Sequence, residues 1–382
     1  LADRHLLLEL LGAALRRIEG RRCVANYLAA NPSRVDGPLA VAAVGKAASS
    51  MALGVLERHA AQVRRMLVIT KDGHVDPELV RVAKAEILES SHPVPDARSR
   101  AAGARLVDWL DAVPADELPL LLVSGGASSL VEHLRPGVDL AALIEVTRTG
   151  LAAGWSIERL NSERTRLSAI KGGGLSRRLV HRAALALFIS DVPGDDTRVI
   201  GGGLLGPSAG GEADQVDRAI VASLGDATNA VAEAGAAHGL QVETSPHRFD
   251  GEAEHVAREF VVALRASPAD VLVWGGESVV RLPPQPGRGG RNQHLALAAA
   301  FALKNFPRAM VLAVGTDGTD GVTPDAGALV DSNTVERIEL AGFDAQKALD
   351  SADSGTALEA AGDLIHTGPT GSNVCDLLVG MR

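Results

Sequence analysis

Short apolar runs and amphipathic stretches alternate along this chain. Over residues 5–30, Leu6, Leu7, Leu10, Leu11 and Leu15 recur on one helical stripe, and Pro32 and Pro38 mark its end. Continuous apolar runs at 39–44, 66–70, 86–89, 119–123, 184–189, 271–274, 278–282 and 310–314 predict strands. Helical patterns at 97–112, 139–153, 215–239, 252–266 and 291–304 separate them. Strands alternating with helices indicate βαβ units. The pattern therefore predicts an α/β protein of two domains, each with a mostly parallel sheet flanked by helices. The long Ala-rich helix ending near Gly239 sets the boundary: an N-terminal Rossmann-like domain over 1–240 and a C-terminal domain over 241–382. The first helix, 5–30, is free to pack on either.

Composition narrows the function classes. The 382 residues are 46% apolar and 22% charged, enough for two ordinary cores. Aromatics are only 3%, which argues against stacking platforms for single-stranded nucleic acid. A net charge of −9 argues against a general polyanion binder but leaves room for a local anion pocket. Two cysteines, Cys23 and Cys375, are too few for a disulfide scaffold, so the cytoplasm is the simplest compartment. No apolar run reaches membrane-spanning length, and the Leu1 start predicts a processed or trimmed terminus.

The chemistry collects where strands end. Open α/β sheets bind ligands outside the carboxyl ends of their strands. Run 310–314 leads into Gly315-Thr316-Asp317-Gly318-Thr319-Asp320-Gly321, two carboxylates among three glycines. Such oxygens suit Mg²⁺, which takes one or two carboxylates plus substrate phosphates, although Asp also serves as turn former and helix cap. Run 39–44 ends in Gly45-Lys46 before a helix, a compact anion site that lacks P-loop spacing. Run 119–123 ends in Ser124-Gly125-Gly126-Ala127-Ser128-Ser129, whose successive N–H groups suit a phosphate cradle. A nucleophilic serine is the rival, without a matching Gly-x-Ser-x-Gly. Asp191, Asp195 and Asp196 follow run 184–189, as turn formers or part of a cation site. Glu277 follows Gly275-Gly276, at a hairpin tip or in a cleft. Arg291 opens a helix, where a cation opposes the dipole unless an anion is bound. Arg159 and Arg166 read as helix-terminal charges. No histidine pair has zinc spacing, and no G-x-G-x-x-G follows a strand.

Together these motifs resemble the class II glycerate 2-kinases, the MOFRL-type family whose members are often labelled hydroxypyruvate reductases. The matching segments are VGKAA at 44–48, TKDGH at 70–74, SHPVPD at 91–96, LLVSGGASSL at 121–130 and LSAIKGGGL at 167–175. They continue with SDVPGDD at 190–196, GGE at 275–277, GRGGRNQ at 287–293, GTDGTDG at 315–321 and TGPTGSNV at 367–374. The resemblance implies two α/β domains with the active site in the cleft between them, ATP and Mg²⁺ as cofactors, and phosphorylation of D-glycerate at its 2-hydroxyl. It implies catalytic roles for Lys46 and Arg291, with Asp191 and Asp317 as alternative bases. Ser124, Gly125, Gly126, Ala127, Ser128, Lys71, Gly368 and Thr370 become nucleotide-binding positions, and Asp191, Asp317, Asp320 and Glu277 metal ligands. Nucleic acid and membrane partners are not expected; a homodimer is compatible. The chain departs from the family at Arg164-Thr165-Arg166, where Arg-Lys-His is usual, at His294, and at Gly201–Ser208, which replaces an Ala-Ser-Gly-Pro turn. A nicotinamide-dependent hydroxypyruvate reductase and an inactive nucleotide- or sugar-acid-binding homologue are the alternatives.

Overall fold

The computed structural model describes residues 2–153, 155, 157–207 and 215–382, so Ser208 of the altered turn lies outside the described residues. The chain divides into two compact units. The first comprises Glu19–Ser223 and Gly371–Asn373; the second comprises the segment up to Ile18, Leu224–Thr370 and Val374–Arg382. The division falls at Ser223/Leu224 rather than near 240, because the stretch read as helix 215–239 is a strand followed by a helix. The strand, Val216–Ala222, joins the first sheet, while the helix, Leu224–Ala237, belongs to the second unit. The first helix is likewise two helices, Ala2–Ile18 and Gly20–Ala30, one in each unit. Glu19 caps the second of them, its carboxylate accepting from the N–H groups of Arg21 and Arg22.

The first unit carries β1 (Leu39–Val44), β2 (Val63–Lys71), β3 (Ala85–Ser90), β4 (Leu118–Val123), β5 (Ala184–Ile189) and β6 (Val216–Ala222). Their order is β3-β2-β1-β4-β5-β6, and every pairing is parallel. Parallel strands covered on both faces need continuous apolar runs. β1 and β5 meet that requirement with six buried residues each. Ala40, Leu67, Ile69, Leu121 and Phe188 share a core with Ala102, Leu106 and Leu110 of helix Ala97–Asp111. β1 and β4 are the pair at which the strand order reverses, the position where such sheets hold ligands.

The second unit carries β7 (Val242–Thr244), β8 (Val271–Gly276), β9 (Met310–Gly315), β10 (Gly327–Asp331), β11 (Leu364–Ile365) and β12 (Asp376–Met381). The order is β11-β10-β9-β12-β8-β7. Here the expectation of a mostly parallel sheet is corrected: only β7 and β8 pair in parallel, and the remaining pairings are antiparallel. Helical crossovers do make β7, β8 and β9 run the same way, as βαβ alternation predicts. The last strand, β12, then inserts between β8 and β9 in the opposite direction. The expected strand 278–282 is reduced to a single bridge from Val279 to Glu252. Phe260 of helix Ala253–Ala266 meets Trp274 of β8 edge-on, with centroids 5.1 Å apart.

Among the described residues no helix is long and apolar enough to cross a membrane. Helix Ala2–Ile18 is integral to the second unit: Leu7, Leu10 and Ile18 are fully buried, and Arg4 pairs with Asp331 and Asp363 at 3.2 and 3.0 Å. Leu10→Ala should therefore cost about 2–5 kcal/mol. Calorimetry should show the loss in the transition of the unit holding β7–β12, and a wild-type melting profile would place the helix outside that core.

Candidate active site

In the first unit the loops after β1 and β4 interlock. Gly45 has φ 134°, and a Cβ there would lie 2.1 Å from Ser124 Oγ, so only glycine fits. The Lys46 N–H donates to Gly125 O at 2.9 Å, and the Ala47 N–H to Ser124 Oγ at 3.0 Å. Ser124 is fully buried, so its hydroxyl fastens one loop to the other. Gly126, at φ 84°, lets two side chains close in: an added Cβ would meet Lys46 Cγ and His92 Cδ2, both at 3.2 Å. A Cβ on Gly125 would overlap Asp191 Oδ2 and Asn373 Nδ2, and Asn373 donates to Asp191 at 3.4 Å. Lys46, His92, Asp191 and Asn373 thus surround the Gly125-Gly126 pair at the carboxyl ends of β1, β4 and β5. Ala127 is buried; Ser128 Oγ, beside Gly202, has no hydrogen-bond partner among the described residues. Lys71 ends β2, partly buried. His92 and Asn373 lie in the matching segments SHPVPD at 91–96 and TGPTGSNV at 367–374, but the sequence alone assigns neither a site role.

The second unit builds a separate constellation where β8 and β9 end and β12 begins. Arg291 opens helix Arg291–Leu303. Its Nε and NH2 donate to the two oxygens of Asp376 at 2.6 and 2.9 Å, and NH1 pairs with Glu277 at 3.0 Å. The anion that its helix-start position calls for is supplied by the protein. Burial works against the charge, but Asp376 and Glu277 outweigh it and hold the guanidinium well above its ordinary pKa. Asp376 is the residue that sequence reasoning misses; its one signal is a lone acid at the head of an apolar run. Glu277 sits at no hairpin tip, and its side chain is half exposed.

Asp320 takes up the orphan donors of the same helix. Gly290 caps without a side chain, and Asp320 accepts from the N–H groups of Asn292 and Gln293 at 3.1 and 2.8 Å. Burial pushes its carboxyl up to about 6, against the pull of those donors and of Arg291. Asp317, also buried, accepts from the Thr319 N–H at 2.9 Å, and the Thr370 N–H donates to Asp317 O at 3.4 Å. Gly318, at φ 85°, packs against Gly368 O. Among the described residues no three His, Cys, Asp or Glu side chains gather as a metal centre. Asp320 and Glu277 are engaged by a helix start and an arginine, while Asp191 and Asp317 stand in different units.

The departures also find places. Arg166 is exposed and pairs with Glu163 at 3.2 Å, and Arg159 stacks over Trp155 at 4.1 Å. Arg164 is buried. His294 is buried beside Ser354 and Glu254, and burial lowers its pKa. Gly201, Gly202 and Gly203 all adopt positive φ, which no Ala-Ser pair would tolerate easily.

Comparison with known proteins gives this geometry a family. Residues 6–234 match the family described as "Domain of unknown function (DUF4147)", and residues 270–376 match the MOFRL family. The D-glycerate 2-kinase of Thermotoga maritima is 34% identical, with 89% of each chain covered. The glycerate 2-kinase of Pyrococcus horikoshii is 28% identical over 98% of this chain and 96% of its own. The crystal structure of glycerate kinase from Thermotoga maritima superimposes with a TM-score of 0.84 at 31% identity, covering 100% of this chain and 99% of that one. With its DUF4147 and MOFRL regions in order and its sheets in that arrangement, the chain belongs to the MOFRL-type glycerate 2-kinase family.

Proposed function

We propose that this protein transfers the γ-phosphoryl group of ATP to the 2-hydroxyl of D-glycerate. The observation that carries the reading is the placement of Lys46 against the Gly125-Gly126 turn, at the reversal of strand order, in a chain whose kinase relatives align along nearly their whole length. Phosphoryl transfer asks a protein mainly for alignment and charge stabilisation. Lys46 offsets charge on the transferring group. The Gly125–Ser128 backbone, free of bulky side chains, lets phosphate oxygens approach, with Lys71 as a further nucleotide contact in the same unit; Gly368 and Thr370 are the second unit's own candidates. Asp191, against Gly125 of the same turn, accepts the hydroxyl proton.

For Mg²⁺ the candidate ligands are the carboxylates of Asp191 in the first unit and of Asp317, Asp320 and Glu277 in the second, the last two also serving the helix start and Arg291. When bound, the ion supplies charge neutralisation on phosphate oxygens. Arg291 is held by Asp376 through its Nε edge, and the half-exposed Glu277 occupies NH1 as a placeholder that a substrate oxyanion displaces. The reductase alternative lacks a dinucleotide fingerprint, since β1 runs into Gly45-Lys46 rather than G-x-G-x-x-G. Phosphorus NMR of the product from ATP, Mg²⁺ and D-glycerate tests the reading; oxidation of NAD(P)H by hydroxypyruvate without phosphoryl transfer would replace it.

Lys46→Ala should lower kcat/KM on the order of 10²-fold, about 3 kcal/mol of transition-state stabilisation, with an unchanged circular dichroism spectrum. Near-wild-type turnover would remove Lys46 from the mechanism.

For Arg291 the expected order of kcat/KM is wild type, then Lys, then Ala, because lysine keeps charge but loses the fork. Arg291→Ala also strands the Asp376 carboxylate, at a cost of about 3–5 kcal/mol in stability. Adding Asp376→Asn should recover stability without recovering activity. If the double variant recovers both, Arg291 serves the fold alone.

A further inference from the structure

Beneath the loop that follows β4 lies a set of charges that the mechanism above does not use. Glu132 and Lys171 have fully buried side chains and form an ion pair through Oε2 and Nζ. Arg164, only 4% exposed, is buried close by. Its guanidinium donates to neutral oxygens: Thr147 Oγ1 at 3.2 Å, Ser129 Oγ at 3.4 Å and Pro93 O at 3.4 Å. Among the described residues the second oxygen of Glu132, Oε1, has no hydrogen-bond partner, so the pair is not shared with Arg164 by a hydrogen bond. Two cations and one carboxylate, counted among the described residues, leave this interior with one positive charge in excess.

An unmatched interior charge is among the costliest things a fold can carry. Arginine does not escape by losing its proton. Burial lowers the pKa of both Arg164 and Lys171, and Glu132 opposes it in each case. Arg105 holds Glu86 and Arg291 holds Asp376, while Arg182, which donates to backbone carbonyls as Arg164 does, is only partly buried. The contacts of Arg164 are long, and none is the paired oxyanion that its fork matches. They also lead to the site. Ser129 lies one helical turn beyond Gly126, and Ser129 Oγ donates to Pro93 O at 2.8 Å. Pro93 follows His92, whose ring borders Gly126 together with Lys46. The excess charge therefore stands behind the two segments that frame Lys46. Lys171 is held in place by the glycine turn: a Cβ on Gly202 would meet Lys171 Cδ at 3.3 Å and Ser128 Oγ at 2.8 Å.

We propose that Arg164 is the receptor for the carboxylate of the acceptor substrate, with the Glu132–Lys171 pair as its positioning support. The assignment rests on the kinase reading for the identity of the acid. It deepens that reading by naming what distinguishes a hydroxy acid from a neutral polyol. Within the fold, the missing negative charge arrives with the substrate.

The test uses the full chain and Arg164→Gln. The KM for D-glycerate should rise on the order of 10–100-fold, with the KM for ATP within about twofold, as expected for loss of a charge-assisted hydrogen bond. Without ATP, D-glycerate should raise the melting temperature of the wild type and glycerol should not; Arg164→Gln should lose the D-glycerate shift while melting no lower than wild type when bare. Glu132→Gln, which leaves Arg164 in place but breaks the buried pair that positions it, should melt lower when bare and show a smaller D-glycerate shift. A raised ATP KM with an unchanged D-glycerate KM would assign the oxyanion to the nucleotide and overturn the proposal. An unaltered D-glycerate shift in Arg164→Gln would make the residue structural. An unaltered shift in Glu132→Gln would remove the pair from its supporting role. Because the melting shifts need no turnover, a wild type that binds D-glycerate yet transfers no phosphoryl group would refute the kinase reading and leave the receptor standing.

Discussion

The second unit depends on β12 hydrogen-bonding on both sides. It joins β8, residue by residue from Asp376 opposite Gly276 to Met381 opposite Val271, and on its other edge it joins β9. Without it, two buried apolar strands would face each other with unmet backbone donors and acceptors, a cost that accumulates at every residue. The same strand carries Asp376 at its head, so the pairing that completes the sheet also sets the anchor for Arg291. A change in register would move the carboxylate out of reach of the guanidinium and turn each side chain to the opposite face. Sheet and site are in this respect one construction.

A second constraint is electrostatic. Helix Arg291–Leu303 begins with a cation and has no capping side chain at Gly290, two choices that oppose helix formation. Three carboxylates from distant segments reverse the penalty: Asp376 and Glu277 on the guanidinium, and Asp320 on the second and third N–H groups. The first unit solves its loop problem without charge. Ser124 lends one hydroxyl to the neighbouring turn, and glycines at 45, 125 and 126 leave no side-chain atoms where backbone and functional groups approach.

Much of the fold is legible in the sequence because parallel strands covered on both faces must be apolar throughout. β1 and β5 are readable to the residue for that reason. β6 is not: as an edge strand with Asp217 and Arg218 in it, its pattern merges with the Ala-rich helix that follows. β12 is short, and its antiparallel insertion depends on partners more than 60 residues away. The strand-end loops are legible as places of chemistry through their glycines and polar residues. Which acid does what is not. Asp317 and Asp320 lie three residues apart in near-identical surroundings, yet Asp320 turns to a helix start that no local pattern reveals. Arg164 likewise reads as one of several cations on a helix, because burial is decided by what packs over it.

The route of the chain carries a consequence for how the molecule can be taken apart. The backbone passes from one unit to the other after Ile18, after Ser223, after Thr370 and again after Asn373. Each unit is thus closed by a segment distant in sequence: the second by its leading helix, the first by the triplet Gly371–Asn373, whose Gly371 carbonyl accepts the Gly20 N–H at 2.9 Å. A protease nick at Ser223 would sever one crossing and leave three, so the fragments would stay fastened to each other. A gene cut at the same point would yield two pieces that each lack a part of their own core. Independent expression of the halves requires rearranging the connectivity, with the leading helix fused ahead of Leu224 and the triplet appended to the first unit.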